Sequence, residues 1–526
     1  MGSRNLGHRS AAASGPQVLR GLREAMNDSS QRSLESASRS RATREPVISR
    51  ETPSGRWALP SIWLAACAAA VFASACKAPD QRIAPFADAW GNAAFAEAES
   101  KIDGLVAEEA GVEPKLVTES RGLDESIDPA QGDTFLFLQE KSMTRLAAGD
   151  TDASIDLLRR SRDVLEARYQ DSDVAGWLAA GLTDDTFLEY RGADYEHVVT
   201  PALLAILALL EGGQDSYAYA LQVGEVQERI QGSTFGDDVD GQGNGYNPRK
   251  TYQRVALGAY VEGLVREREG YSGEAQKAYE RAREWGGAVP VVVEACERTT
   301  NGVYAPSGHG VVHVFRFAGR GPRLVQSSSP VTDSALFLAN IGALVIGENV
   351  GLLGQMNVPI PAVFSSDFGL PELEVRTGGA VVATSSTVLD VTSVAAFQVE
   401  ANMPWILARA VIRRGAKAVA AKVAQDAVEK SNDSGLGLLA GILTNLALTV
   451  GEKADTRNWT ALPARFQVAR FTLLEGAHEL DLGGGMLANV RVASGKDSYV
   501  VVVQPDLSKP GAIVTDVYSR PVPNAP

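Results

Sequence analysis

The sequence predicts an α+β protein: helical hairpins come first, and a β-rich, sandwich-like region with a helical hairpin inserted into it comes second. Three observations predict this. From Phe86 to about Trp285, apolar residues recur at helical intervals around glycine turns. After Pro290 the pattern changes to the alternation of half-buried strands, rich in β-branched and aromatic residues. Between about residues 393 and 454 the helical period returns, with strand-like segments on both sides.

The chain divides by composition before it divides by structure. Residues 1–56 are rich in Ser and Arg, lack Lys and show no apolar period, so they read as a disordered leader or an over-extended start, with Met26 as an alternative beginning. Residues 57–75, "WALPSIWLAACAAAVFASA", come after Arg56 and form the apolar region of a secretory signal. Ala73-Ser74-Ala75 before Cys76 resembles a bacterial lipobox without its usual Leu, and it is also an A-x-A site for ordinary signal peptidase. Lipidation of Cys76 is the expected outcome, giving an exported, membrane-anchored protein at an outer membrane or periplasmic face. Leu64-Ala65-Ala66-Cys67 is a closer lipobox, but a cut there leaves apolar residues exposed behind it. Residues 1–75 hold ten Arg against five acidic residues, so the whole-chain charge of −14 leaves −19 on residues 76–526. So acidic a body repels phosphate backbones, and nucleic acid is not an expected partner. The three cysteines, Cys67, Cys76 and Cys296, exclude a disulfide framework.

Residues 76–125 read as a linker and first helices, and 126–290 as the helical domain. "RLAAGDTDASIDLLRRSRDVLEARY" turns at Gly149, "ALLAILALLEGGQDSYAYALQVGEVQERI" at Gly212-Gly213, and "AYVEGLVREREGYSGEAQKAYERAREWG" at Gly270. The last is similar to a tetratricopeptide hairpin, with Tyr260, Leu264, Ala275, Tyr279 and Ala282 as its buried set. Such hairpins cannot bury their apolar faces alone and must stack, either as scaffold or as a concave surface for a protein partner. Between hairpins, "GDDVDGQGNGYNPRK" invites a calcium-loop reading through Asp237, Asp238 and Asp240. The twelfth position from Asp238 is Arg249, so an EF-hand fails and a solvated Gly/Asp loop is expected.

The β-rich region is expected over 300–505, with "HGVVHVFRFAG", "RLVQSS", "PAVFSS", "LEVRTGG", "AVVATS" and "TVLDVTS" before the insertion and "ARFQVARFTLLEGAHELDL" and "ANVRVASGKDSYVVVVQ" after it. Glu475-Gly476 reads as a tight turn, and residues 506–526 as a tail. Within the insertion, Arg409, Arg413, Lys417 and Lys422 are spaced for roughly one helix face. The uncharged run Leu436–Val450 is about 22 Å long as a helix, short of a hydrocarbon core and fit for a buried one. The basic helix is expected to pack on that run with its cations outward.

Residues 451–482, "GEKADTRNWTALPARFQVARFTLLEGAHELDL", resemble the closing segment of an uncharacterised family of bacterial tetratricopeptide-like lipoproteins. That family carries an Asp-x-Arg-x-Trp-x-x-Leu-Pro stretch, matched here by Asp455, Arg457, Trp459, Leu462 and Pro463, with Arg470, Gly476 and His478 after it. "PWILARAVIRRGAKAV", "NPRKTYQRVALGAYVEGLVRE" and "HGVVHVFRFAGRGPRLV" extend the resemblance over most of residues 130–485. "YAYALQVGEVQE" departs from it where family members tend to carry a Glu and Arg pair. The resemblance implies a fold and a location, and no activity.

Asp455, Arg457 and Trp459 read either as a structural corner or as a ligand clamp. Other chemistries find little support. His309 and His313 lie four apart on an expected strand without the glutamate of a zinc protease. Neither they, His197 nor His478 sits in a Ser-His-Asp or Cys-His context. Cys296 reads as a small core residue, no phosphate-cradling glycine loop precedes a helix, and no metal or cofactor is implied. The expectation is therefore a non-catalytic, membrane-tethered envelope scaffold or adaptor, active in assembly or wall maintenance and binding other envelope proteins through its helices. The alternative is an enzyme or carbohydrate-binding module using the β-rich region.

Overall fold

Small residues decide how the N-terminal helices meet. The computed structural model describes residues 79–120, 122–170, 189–238, 242–346, 357–365, 369–429 and 453–519, all within one compact unit, Cys76–Pro526. The leader, the 57–75 stretch, Cys76, Asp240, the run 436–450 and the tail from 520 lie outside the described residues. Among the described residues ten helices fill the first part: α1 (Pro79–Gly91), α2 (Phe95–Ala110), α3 (Pro114–Glu119), α4 (Thr134–Ala147), α5 (Thr151–Gln170), α6 (Asp194–Leu210), α7 (Ser216–Gln231), α8 (Ala256–Arg268), α9 (Ser272–Gly286) and α10 (Pro290–Asn301). Apart from short α3, each packs on the next. In the α8–α9 hairpin a Cβ on Gly263 would stand 2.6 Å from the ring of Tyr279, so glycine lets the tyrosine lie against the helix backbone. Tyr260, Leu264, Ala275, Tyr279 and Ala282 are all buried, as their spacing predicts. The helices continue past Pro290, which opens α10 at its first turn, where a missing N–H costs nothing. Gly302, with φ of 97°, closes that helix.

The described strands are β1 (His309–Ala318), β2 (Arg323–Pro330), β3 (Asn357–Phe364), β4 (Glu374–Thr377), β5 (Ala380–Thr384), β6 (Ser386–Asp390), β7 (Arg465–Leu474), β8 (Gly476–Asp481), β9 (Leu487–Val492), β10 (Asp497–Gln504) and β11 (Ala512–Thr515). Five form a sheet in the order β11-β10-β1-β7-β6, with β1 parallel to β10 and antiparallel to β7. Four more form a sheet ordered β5-β4-β8-β9. Alternation gives β1 two buried faces. Val312 and Val314 meet Val375, Leu480 and Val490 of the four-stranded sheet, while Phe315 and Phe317 join the core of the helices. One apolar core thus runs from Phe86 to Val514 across helices and sheet.

Glu475-Gly476 does not close a hairpin. β7 and β8 belong to different sheets, and the chain crosses between them there, with Gly476 at a φ of 151°. The strand-like stretches "LEVRTGG" and "AVVATS" pair as a hairpin that turns at Gly378-Gly379, with φ of 55° and 83°.

A third layer comprises the β2–β3 ribbon and two helices, α11 (Asp333–Ile346) and α12 (Val391–Glu429). The alternation reading passes over α11, whose run of apolar residues has no polar face to mark its period. Trp405 of α12 packs with Leu338 and Phe235 and donates from Nε1 to the carbonyl of Tyr246 at 2.7 Å. The Gly/Asp loop is thus held against α12. The expected outward basic face is corrected in part: Arg413 is 2% exposed and Arg409 half-buried, while the side chains of Lys417 and Lys422 lie outside the described residues. Among the described residues no helix is long and apolar enough to cross a membrane.

Candidate functional site

The residues singled out in the Asp-x-Arg-x-Trp stretch come together in an irregular segment before β7. Asp455 grips Arg457 through both carboxylate oxygens, with Nε at 2.9 Å and Nη2 at 2.8 Å. Nη1 of Arg457 reaches Asp133, ahead of α4, at 2.9 Å. Burial works against the Arg457 charge, but the two carboxylates hold its pKa above the ordinary value. Burial raises the Asp133 pKa in turn, although Arg457 opposes this. Thr456 accepts from the backbone N–H of Asp80 at 3.1 Å. Asn458 accepts from the Leu324 N–H at 3.1 Å and donates to the Pro322 carbonyl at 2.7 Å. Trp459 is fully buried, and its Nε1 has no hydrogen-bond partner among the described residues. The described chain is irregular from Lys453 to Trp459, so Leu462-Pro463 ends a turn rather than a helix before β7 begins at Arg465.

Two residues that the sequence reading missed hold this segment from the other side. Glu140 of α4 accepts the N–H groups of Thr460 at 2.5 Å and Ala461 at 2.7 Å. Glu196 of α6 accepts the N–H of Trp459 at 2.8 Å and the hydroxyl of Tyr190 at 2.6 Å. Both glutamates are wholly buried. Burial pushes the Glu140 carboxyl up to about 8, the nearby Glu196 adding to the rise against its two main-chain donors. Burial likewise raises the Glu196 pKa. A lone acid within an apolar helical run, as in "FLFLQEKSM" and "DYEHVVTPALL", is the signal that could have found them. Their hydrogen bonds go to main-chain N–H groups and tyrosine hydroxyls, so both fix the backbone of this segment.

A cleft of about 170 Å³ does open beside the segment. Its walls are Tyr190, Gly192 and Ala193 just ahead of α6, Tyr195 in its first turn, Leu324 and Pro361 of the ribbon, one face of α12, and Asp455, Arg457 and Asn458. Trp459 does not reach it. The structure therefore brings Asp455 and Arg457 to a cleft and takes Trp459 into the core.

Of the remaining candidates, all but His313 and Asp240 have a hydrogen bond or ion pair within the chain or, for Cys296, a place in its core. His197 and His478 each bond a backbone carbonyl at 2.8 Å. His309 bonds that of Ser307 at 3.1 Å, whereas His313 is buried between sheet and helices. Cys296 is buried and its thiol pKa raised by that burial. Asp237 pairs with Lys250 at 3.1 Å, and Asp238 accepts from the Gly243 N–H at 2.8 Å. Among the described residues no group of three or more His, Cys, Asp or Glu is placed to hold a metal ion.

Fold and site together define a class: an α+β protein, helices first and sheets after, locked by a polar segment in its core. The chain matches no family model, no curated protein and no solved structure.

Proposed function

We propose that this protein is a non-catalytic, membrane-tethered lipoprotein of a bacterial cell envelope, a scaffold or adaptor in envelope assembly or wall maintenance. In this reading Cys76 carries the lipid. The successive hairpins of α4 to α9 form a tetratricopeptide-like array that binds another envelope protein. The two facing sheets form a β-sandwich-like unit that carries α12 as an insertion. The observation that carries the reading is the inward commitment of the conspicuous polar residues. Asp455, Arg457, Glu140 and Glu196 hold one another, Asp133 or the backbone, and neither glutamate is among the residues that line the cleft beside 455–458. What the helices leave open is a groove of about 350 Å³ between α5, α6 and α7, lined by Arg162, Glu166, Thr200, Glu225 and Arg229 among others. Mixed charge over an apolar floor of Leu165 and Val226 suits a polypeptide better than a single small anion.

A photo-crosslinking residue placed at Glu225 in the full chain, in intact envelopes, should capture a discrete partner protein. The same residue at Leu487, exposed on β9, should not. Equal crosslinking from both positions would remove the helical array as the binding surface. The tether is tested separately: Cys76→Ser should release the protein from membranes, since two or more acyl chains make a stable anchor.

A further inference from the structure

We propose that the groove between α5, α6 and α7 seats a basic side chain, lysine or arginine, of the partner polypeptide. This rests on the scaffold reading and names the chemistry of its partner. The cations of the groove are already engaged. Arg229 grips Glu166 through both carboxylate oxygens, with Nη2 at 2.7 Å, and lies 4.6 Å over the Tyr169 ring. Arg162 donates to Asp163 through Nε at 3.0 Å and Nη2 at 2.8 Å. Both guanidinium groups thus face carboxylates of this chain. Glu225 on α7 is exposed and has no partner among the described residues. Two arginines against three carboxylates leave the lining one net negative charge, and the carboxylate without a partner is Glu225.

The α6 wall adds acceptors. His197 is 5% exposed and donates from Nε2 to the Arg191 carbonyl at 2.8 Å. Burial pushes its pKa down, so the ring is neutral, and Nδ1 is a bare acceptor without a partner among the described residues. Pro201, one turn on, lacks the N–H that the helix would give the His197 carbonyl. Thr200 between them donates its hydroxyl proton to the Glu196 carbonyl at 2.8 Å and so offers the groove no donor. Carboxylate, imidazole nitrogen and carbonyl all call for a donor, and Leu165, Pro201 and Val226 supply apolar surface in the same lining. A lysine or arginine meets both demands, because it buries an apolar stem and carries its donors at the tip. Long-range attraction works the same way, since residues 76–526 carry a net charge of −19.

The test is calorimetric titration of the detergent-purified full chain with capped heptapeptides, Ala-Leu-Ala-X-Ala-Leu-Ala, in which X is lysine, arginine, norleucine or glutamate. The lysine and arginine peptides should bind at least about tenfold more tightly than the norleucine peptide, the factor for one charge-assisted bond. The glutamate peptide should bind least. Glu225→Gln should remove most of that preference, and Glu225→Lys should reverse it in favour of the glutamate peptide. Pro201→Ala, which returns a donor to the His197 carbonyl, should lower it in part. Val226→Trp, which fills the groove, should weaken every peptide, with thermal unfolding recorded to show that each variant is folded. Norleucine or glutamate peptides binding as tightly as lysine, a preference unchanged in folded Glu225→Gln, or no heat with any peptide would each overturn the inference. The scaffold reading is judged apart, by capture in intact envelopes from a crosslinking residue at Gln222, which spares the Glu225 carboxylate. A partner captured there through an acidic or wholly apolar segment overturns the basic side chain and keeps the scaffold. No captured partner removes the scaffold reading itself, whatever the peptides do.

Discussion

Two buried polar clusters tie the helices to the C-terminal sheets and the segment before β7, and they are matched to very different degrees. In the first, Glu140 and Glu196 receive three main-chain N–H groups of residues 459–461, and Arg457 finds both its carboxylates. In the second, Tyr499, His313 and Arg470 stand side by side across β10, β1 and β7, facing Tyr260 and the Arg298–Glu267 pair of the helices. Asp497 receives the hydroxyls of Tyr304 and Tyr499, yet His313 Nε2 is 3.9 Å from it. Both ring nitrogens of His313, Nε of Arg470 and the Tyr260 hydroxyl have no partner among the described residues. A matched buried network fixes one geometry, and cutting it strands its members. A half-matched one costs stability, and replacing a member by an apolar group of like shape can be neutral or favourable. The difference teaches which cluster specifies the fold.

The largest effect should come from breaking the matched cluster. Glu140→Ala leaves the N–H groups of Thr460 and Ala461 buried without acceptors, at about 1–3 kcal/mol each. Denaturant unfolding should therefore show a loss of about 2–5 kcal/mol, with Glu140→Gln losing less because one acceptor oxygen remains. A loss under about 0.5 kcal/mol, the range of an ordinary surface change, would mean that the segment is held elsewhere. Next comes Arg457→Met. A broken buried pair costs about 3–5 kcal/mol, but Asp133 and Asp455 are partly exposed, so about 2 kcal/mol is expected by the same measurement.

Gly263→Ala tests the helices behind the second cluster. The new methyl would strike the Tyr279 ring, whose hydroxyl donates to Glu267 at 2.8 Å. Overpacking, offset in part by alanine's better helix propensity, should cost about 1 kcal/mol in thermal or chemical unfolding. No loss would show that the ring can move aside. His313→Phe should change stability least, within about 1 kcal/mol and in either direction, because it removes two unpartnered nitrogens while keeping a ring on Tyr499.

pH should separate the two clusters. Glu140 holds its proton more tightly when folded, so its contribution to stability is full below its ordinary value near 4.5 and is lost as pH rises toward about 8. His313 behaves oppositely: burial, then Arg470, Arg298 and Arg268, push it well below 6.5, so stability is present above 6.5 and lost as pH falls. Stability measured across this range should flatten on the alkaline side in Glu140→Gln and on the acid side in His313→Phe. If either variant keeps the wild-type slope, the group it removes is not the one titrating.

Much of this architecture comes from local pattern. The sequence by itself determined where helices give way to strands, because the side-chain period changes from 3.6 to 2 near β1. It determined the α8–α9 hairpin through its small residues and Tyr279. It also placed Asp455 beside Arg457, but left Trp459 open between a structural corner and a ligand clamp. Only the tertiary structure decided that β1 lies parallel to β10, that Gly476 carries the chain from one sheet to the other, and that Trp459 turns from the cleft that Asp455 enters. Only there, too, do Glu140 and Glu196 find their donors in a segment hundreds of residues away. The reason is physical. Period and turn chemistry act between near neighbours and are written in the side chains. A main-chain N–H is carried by every residue except proline, so nothing in the sequence tells a buried carboxylate which one it will receive.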